Sequence, residues 1–275
     1  MFSLNFKTSP LKTVAAVGTL AATMLLGTGC NALSKLKARD HLNQGVNSFK
    51  SGNYTDAADN FKQAIELDPT FDVARLYLAT AYVQQYIPGT ETPENKKYAS
   101  AAMEEFGKVL KTDPKNLLAT QSVANLYYQT KDFPNAVEWN KKVTEINPQD
   151  KAAFYTLGVI AWTQFIGPDR EARNASKMKP EDPCPIKDAK DRAALKEKYW
   201  QSLTDGIDFE DKALKIDPEY ENAMSYKNLL LRYRADLVDT KEACLADVKQ
   251  ADDLMQKALE TTKMKAEKKA KAGGN

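Results

Sequence analysis

Four Xaa-Pro pairs punctuate this chain, and their spacing constrains the fold more than any other feature. Asp68-Pro69, Asp113-Pro114, Asn147-Pro148 and Asp217-Pro218 each follow an amphipathic segment. Proline cannot continue a helix and pushes the residue before it out of the helical region, so each pair is a stop. Pro114 and Pro148 are 34 residues apart. Pro69 and Pro114 are 45 apart, one such period with an 11-residue insertion; Pro148 and Pro218 are 70 apart, one period with 36 extra residues. A fixed period of this length means one supersecondary unit stacked on copies of itself.

The first unit, 38–71, sets the pattern. Gly45 is the small residue of its first helix, and Gly52 and Tyr54 form the turn. Ala57, Phe61 and Ala64 follow at i, i+4 and i+7, one apolar helical face, before Leu67-Asp68-Pro69. This order resembles the tetratricopeptide repeat (TPR), an antiparallel hairpin of helices A and B. The resemblance implies an all-α TPR solenoid with repeats at about 38–71, 72–116, 117–150, 151–220 and 221–262. Leu78, Ala79, Tyr82, Ala102, Phe106 and Val109 carry the second repeat; Ala124, Tyr127, Phe133, Ala136 and Val143 carry the third. Trp139 stands beside the usual aromatic position of that repeat, which is Asn140. Phe154, Leu157 and Gly158 open the fourth, and Gly206 and Ala213 precede its stop. The fifth is degenerate. A helix at about 243–263 reads as the C-terminal cap that an open-ended array requires, and the basic run 263–275 reads as a disordered tail.

Both insertions leave from an A–B turn, launched by the similar runs YVQQYIPG (82–89) and AWTQFIGP (161–168). Helix A is expected to break at Pro88 in one and at Gly167-Pro168 in the other. The larger insertion reads as loop through 179–185 and as helix from about Asp188 through Tyr199 and Trp200. Inserts of this length are either functional or tolerated elaborations, because loop closure costs little extra as length grows.

At the N-terminus, Lys7 and Lys12 precede a 13-residue apolar run, Val14–Leu26, then Gly27, Thr28, Gly29 and Cys30. The run is short for a membrane span and suits a secretory leader, 1–29, followed by a tether, 30–37. Cys30 resembles a lipobox cysteine, although Gly27 departs from the usual leucine. The chain as a whole resembles bacterial exported TPR proteins with a lipoprotein-like N-terminus. That resemblance implies a periplasmic protein held to the outer membrane through a lipid on Cys30, with Asn31 after it. The alternative is a secreted protein cut within 21–29. Two further cysteines, Cys184 and Cys244, form either a disulfide or two free thiols.

The sequence excludes several chemistries. With 39 basic and 37 acidic residues, the net charge of +2 supplies no field for nucleic acid. His41 is the sole histidine, no CxxC occurs and the glycines are scattered, so no metal, cofactor or catalytic residue is expected. The expected partner is a protein or an extended peptide. In the TPR resemblance, helix A lines the concave side, which points to Asn125, Tyr128, Gln129, Tyr155, Trp162, Arg232 and Tyr233 as the binding groove. Tyr128 and Trp162 could instead pack between helices. Leu42 and Val46 stand where chaperone-clamping TPR proteins carry Lys and Asn, so that role is not expected. The function implied is a membrane-tethered periplasmic scaffold for protein–protein interaction. The alternative is an assembly factor of an envelope machine, of the outer-membrane protein assembly or pilus biogenesis type.

Overall fold

A computed structural model describes the backbone of residues 11–179 and 181–272, with side chains from residue 31 to 271 except 180. Among the described residues every regular element is α-helical, and the fold is an all-α, TPR-like solenoid of stacked helix pairs. The chain divides into two compact units between Pro114 and Lys115.

The first unit holds α1 (Leu11–Lys50), α2 (Tyr54–Leu67), α3 (Asp72–Gln85) and α4 (Pro93–Thr112). α1 packs on α2, α2 on α3 and α3 on α4. Gly45 allows the first crossing: a Cβ there would lie 2.5 Å from Cε1 of Phe61. Phe61 is fully buried, stacked on Tyr77 at 5.4 Å and surrounded by Ala57, Ala58, Leu78 and Ala81. α1 closes with Gly52 at φ 79°, where Asn53 N–H donates to Ser48 O and Gly52 N–H to Phe49 O. That pairing satisfies orphan carbonyls at the helix end, and glycine takes the left-handed φ without strain. Residues 31–37, expected as a tether, are helical within α1. The leader 1–29 and the Cys30 side chain lie outside the residues whose side chains are described.

The second unit holds α5 (Leu117–Gln129), α6 (Phe133–Ile146), α7 (Lys151–Ala175), α8 (Ala189–Ile216), α9 (Glu221–Ala235) and α10 (Lys241–Ala272). α7 packs on α8 and also on α9, and α9 pairs with α10. Its main core gathers Phe165 from α7, Leu203 and Ile207 from α8, Leu230 and Leu231 from α9 and Ile186 from the larger insertion.

Two expectations are corrected here. α7 does not break at Gly167-Pro168 but runs through Pro168 to Ala175. Phe165, Asp169 and Ala172 lie on its buried stripe, and that packing outweighs one lost helical hydrogen bond. The helix stops only where Lys177 takes φ 55°, with Met178 N–H donating to Arg173 O and Lys177 N–H to Asn174 O. Nor is the C-terminal run a disordered tail: α10 continues through Ala272. Its residues from 263 to 272 are good helix formers, and Lys265 Nζ bonds Glu221 Oε2 at 2.8 Å and Glu219 O at 2.6 Å. A disulfide joins Cys184 to Cys244, with Cα atoms 5.9 Å apart, and so ties the larger insertion to the start of α10. Among the described residues no helix is long and apolar enough to cross a membrane.

Candidate functional site

The second unit presents a row of aromatic rings along α7 and α9. Tyr155 meets Tyr226 edge to face at 5.3 Å, and Trp162 meets the same Tyr226 at 5.4 Å and 88°. Tyr220 adds a ring 5.5 Å from Tyr155. Edge-to-face pairs place the positive rim of one ring on the negative face of the next, which holds the row rigid. All four rings stay half-buried, so each keeps one side open. Burial pushes the phenols of Tyr128, Tyr155 and Tyr220 above their ordinary value, so they remain neutral donors. The buried Trp162 Nε1 donates to the Tyr233 phenol, which works against the rise that burial gives Tyr233.

The seven residues named from the sequence fall into three places. Asn125 and Tyr128 line a cavity of about 260 Å³ between α5, α6 and α7, with Asn140 at its wall. Tyr155 and Trp162 join the aromatic row. Arg232 and Tyr233 line a larger cavity of about 630 Å³, formed by the end of α7, the insertion after it, α9 and the start of α10. Gln129 is half-buried near the end of α5 and lines neither cavity. The row also includes Tyr226, which the sequence reading missed. It shares a helical face with Asn222, Leu229 and Tyr233, so the 3.6-residue period could have found it.

The larger cavity contains two buried carboxyls and an arginine. Asp169 on α7 and Asp236 at the end of α9 are 3% and 5% exposed. Arg173 Nη1 donates to both Asp236 oxygens at 2.8 and 2.9 Å, and Nη2 donates to the backbone oxygens of Lys179 and Asp182. Burial pushes both carboxyls up, and Arg173 opposes the rise at Asp236. Asp169 is raised to about 8 by burial and by the neighbouring Asp236 charge. The two carboxyls hydrogen-bond each other, with the proton held on Asp169, which raises Asp169 and lowers Asp236. Neither acid was singled out from sequence. The available signal was an aspartate at the i+4 position from Phe165 and i−3 from Ala172, on an apolar stripe.

Among the described residues no group of three or more His, Cys, Asp or Glu could hold a metal ion.

Comparison with known proteins supports the fold. The tetratricopeptide repeat family model matches residues 48–85. No curated protein matches the chain. Among solved structures, a MamA protein is 14% identical over 84% of this chain and 94% of its own, with a TM-score of 0.57. MamA (residues 41 to the end) from Desulfovibrio magneticus RS-1 is 17% identical over 83% and 96%, at 0.55. YrrB, described as a TPR protein with an unusual peptide-binding site, is 15% identical over 81% and 90%, at 0.51. These matches are MamA proteins and another TPR protein. The expected resemblance to exported lipoproteins is therefore corrected to one with TPR proteins of the MamA type, and the periplasmic and outer-membrane placement and the lipid anchor on Cys30 have no support from them. The fold is thus a TPR-like array of helix pairs, a fold that serves in general as a scaffold for protein–protein interaction.

Proposed function

We propose that the second unit binds an extended segment of a partner protein along α5, α7 and α9. The observation that supports this most is the half-buried row Tyr155–Tyr226–Trp162, rigid and open on one side. Rigid aromatic rings supply contact area at small entropic cost, and Tyr, Trp and Arg dominate binding hot spots. Exposed Asn125 lies beside the row with an amide able to bond a peptide backbone.

The test uses a displayed library of random 12-residue peptides selected on the full-length protein. Enriched peptides should lose at least tenfold in affinity against Tyr226→Ala and Trp162→Ala, with far-UV circular dichroism unchanged. Asn125→Ala, an exposed change that cannot unfold the unit, should lose about threefold to tenfold, the range of one hydrogen bond. Peptides that bind all three variants as tightly as the parent would remove the groove.

A further inference from the structure

The aromatic row leads into the larger cavity. Ring contacts advance in step along α7 and α9: Tyr155 meets Tyr220 and Tyr226, Trp162 meets Tyr226, and Phe165 meets Tyr233 at 5.8 Å. The two helices therefore run side by side in the same direction. Just beyond the row, Ile166 on α7 and Leu229 and Tyr233 on α9 line the cavity of about 630 Å³. Met178 in the insertion and Leu245 and Val248 on α10 line its other walls, and the Cys184–Cys244 disulfide joins those two walls. Leu245 is 53% exposed, a large apolar side chain left facing water at the cavity. A concave site with apolar walls and few polar groups is the usual form of a binding pocket.

The charges around the cavity are matched among themselves. Arg173 is held by Asp236 and by two backbone carbonyls of the insertion, Arg232 by Asp252 and Asn228, and Asp182 by Lys187. Asp169 and Asp236 share a proton. Among the described lining residues this leaves Arg170 and Glu181, one of each sign and both exposed. A charged side chain entering here would exchange water for groups already engaged, and a buried charge without a partner is costly. The occupant that fits is therefore uncharged. Two groups favour a ring over an aliphatic chain. Tyr233 offers an aromatic partner at the wall. Arg170, with no ion pair among the described residues, offers a planar guanidinium that stacks on ring faces.

We propose that this cavity receives a phenylalanine or tryptophan side chain of the segment bound along the aromatic row. The inference rests on the groove reading and adds a sequence requirement to it. Tyr226 and Tyr233 are seven positions apart on α9. At the helical rise of 1.5 Å per residue they are separated by about 10 Å along the axis. A segment in the polyproline II conformation turns once in three residues and rises 3.1 Å per residue, so its residues i and i+3 face the same way about 9 Å apart. The ring in the cavity thus stands three positions from the residue that lies over Tyr226 and Trp162. The insertion supplies one wall of this pocket, and the disulfide holds that wall against α10.

The experiment titrates acetyl-tryptophan amide and acetyl-phenylalanine amide into the ¹⁵N-labelled full-length protein, with acetyl-leucine, acetyl-lysine and acetyl-glutamate amides as controls. The aromatic probes should shift the amides of Arg170, Leu229 and Leu245 saturably, and the charged probes should not. The leucine probe should bind about threefold more weakly than either ring. Leu229→Trp fills the cavity from α9 and should abolish these shifts. If that variant does not fold, Leu245→Lys still decides: it is an exposed change on α10 and should weaken the aromatic probes about fivefold. Peptides selected on the parent should carry Phe or Trp, and alanine there should cost about tenfold or more. Moving the ring one position relative to the residue over the row should cost as much. Charged or leucine probes that bind as well as the aromatic ones, or aromatic binding indifferent to Leu245→Lys, would overturn the proposal. The groove fails separately: aromatic probes that still shift Leu245 in Trp162→Ala, while selected peptides ignore that variant, would remove the groove and leave the pocket.

Discussion

The first and fourth hairpins cross in the same way and fill the crossing with opposite chemistry. In the first, Gly45 on α1 receives the ring of Phe61 from α2. In the fourth, Gly158 on α7 receives the carboxyl of Glu210 from α8, where an added Cβ would lie 2.2 Å from Oε1. Both helix B residues are fully buried. The ring is surrounded by apolar neighbours, whereas both Glu210 oxygens lack hydrogen-bond partners, and burial pushes Glu210 up to about 9. The repeat therefore specifies a volume at the crossing, set by glycine on helix A, and not a polarity. A hairpin can accept a neutral acid there, but it forfeits stability that the ring provides.

The largest effect is expected where the crossing is best filled. Phe61→Ala removes an enclosed ring from the first unit and should cost about 3–5 kcal/mol, read from chemical denaturation. A loss under 1 kcal/mol would mean that the first crossing is no better packed than the fourth.

The disulfide comes next, because it braces the hairpin with the weaker crossing. Intact mass after alkylation should show no uptake at Cys184 or Cys244 before reduction and two alkyl groups after it. Reduction should cost about 2–4 kcal/mol, the range expected for closing a loop of this length. Uptake of two groups without reductant would establish free thiols and remove the brace.

Glu210→Gln sharpens the comparison directly. The folded value of about 9 lies above the ordinary 4.5. Between these values the folded chain holds a proton that the unfolded chain has released, so stability falls as pH rises through that window. The stabilising contribution is complete below about 4.5. Glutamine keeps the shape without the proton, so the variant should gain about 1–3 kcal/mol at pH 7 and lose much of the slope between pH 5 and 8. The slope that remains includes Asp169, raised to about 8 for similar reasons. An unchanged slope would place the charge of Glu210 in water and end the contrast with Phe61.

How much of this was legible in the sequence follows from the range of each interaction. The stops at Asp68, Asp113, Asn147 and Asp217 are local, and each caps the end of its helix where the proline predicts. Glu210 was legible too: Gly206, Glu210 and Ala213 repeat the spacing of Ala57, Phe61 and Ala64, with an acid in the ring's place. The passage of α7 through Pro168 was not, because a local breaker is overruled by packing against distant helices. Tyr226 was missed because the repeat count loses register in the degenerate fifth unit. Asp169 and Asp236 lie on different helices, so only the fold brings their carboxyls together.

The two insertions extend the comparison to loops. They begin with similar residues, yet the smaller one closes on itself. Asn95, 5% exposed at the start of α4, accepts from Ile87 N–H at 2.7 Å and donates to Ile87 O at 2.8 Å and Thr90 O at 2.7 Å. One side chain thus satisfies three backbone groups and leaves nothing over for a ligand. The larger insertion is tied down by Arg173, whose own partner Asp236 is hydrogen-bonded to the buried Asp169. The smallest effect is expected at the self-contained loop. Asn95→Ala should cost about 1–2 kcal/mol, less than three buried bonds, because water reaches a loop this short and replaces part of what is lost. Amide exchange should quicken at Ile87 and Thr90 but not in α3. Asn95→Asp keeps the acceptor for Ile87 and deletes both donors, so it should fall close to alanine; a cost near zero would assign the loop's order to Thr92 and Pro93 at the start of α4 instead.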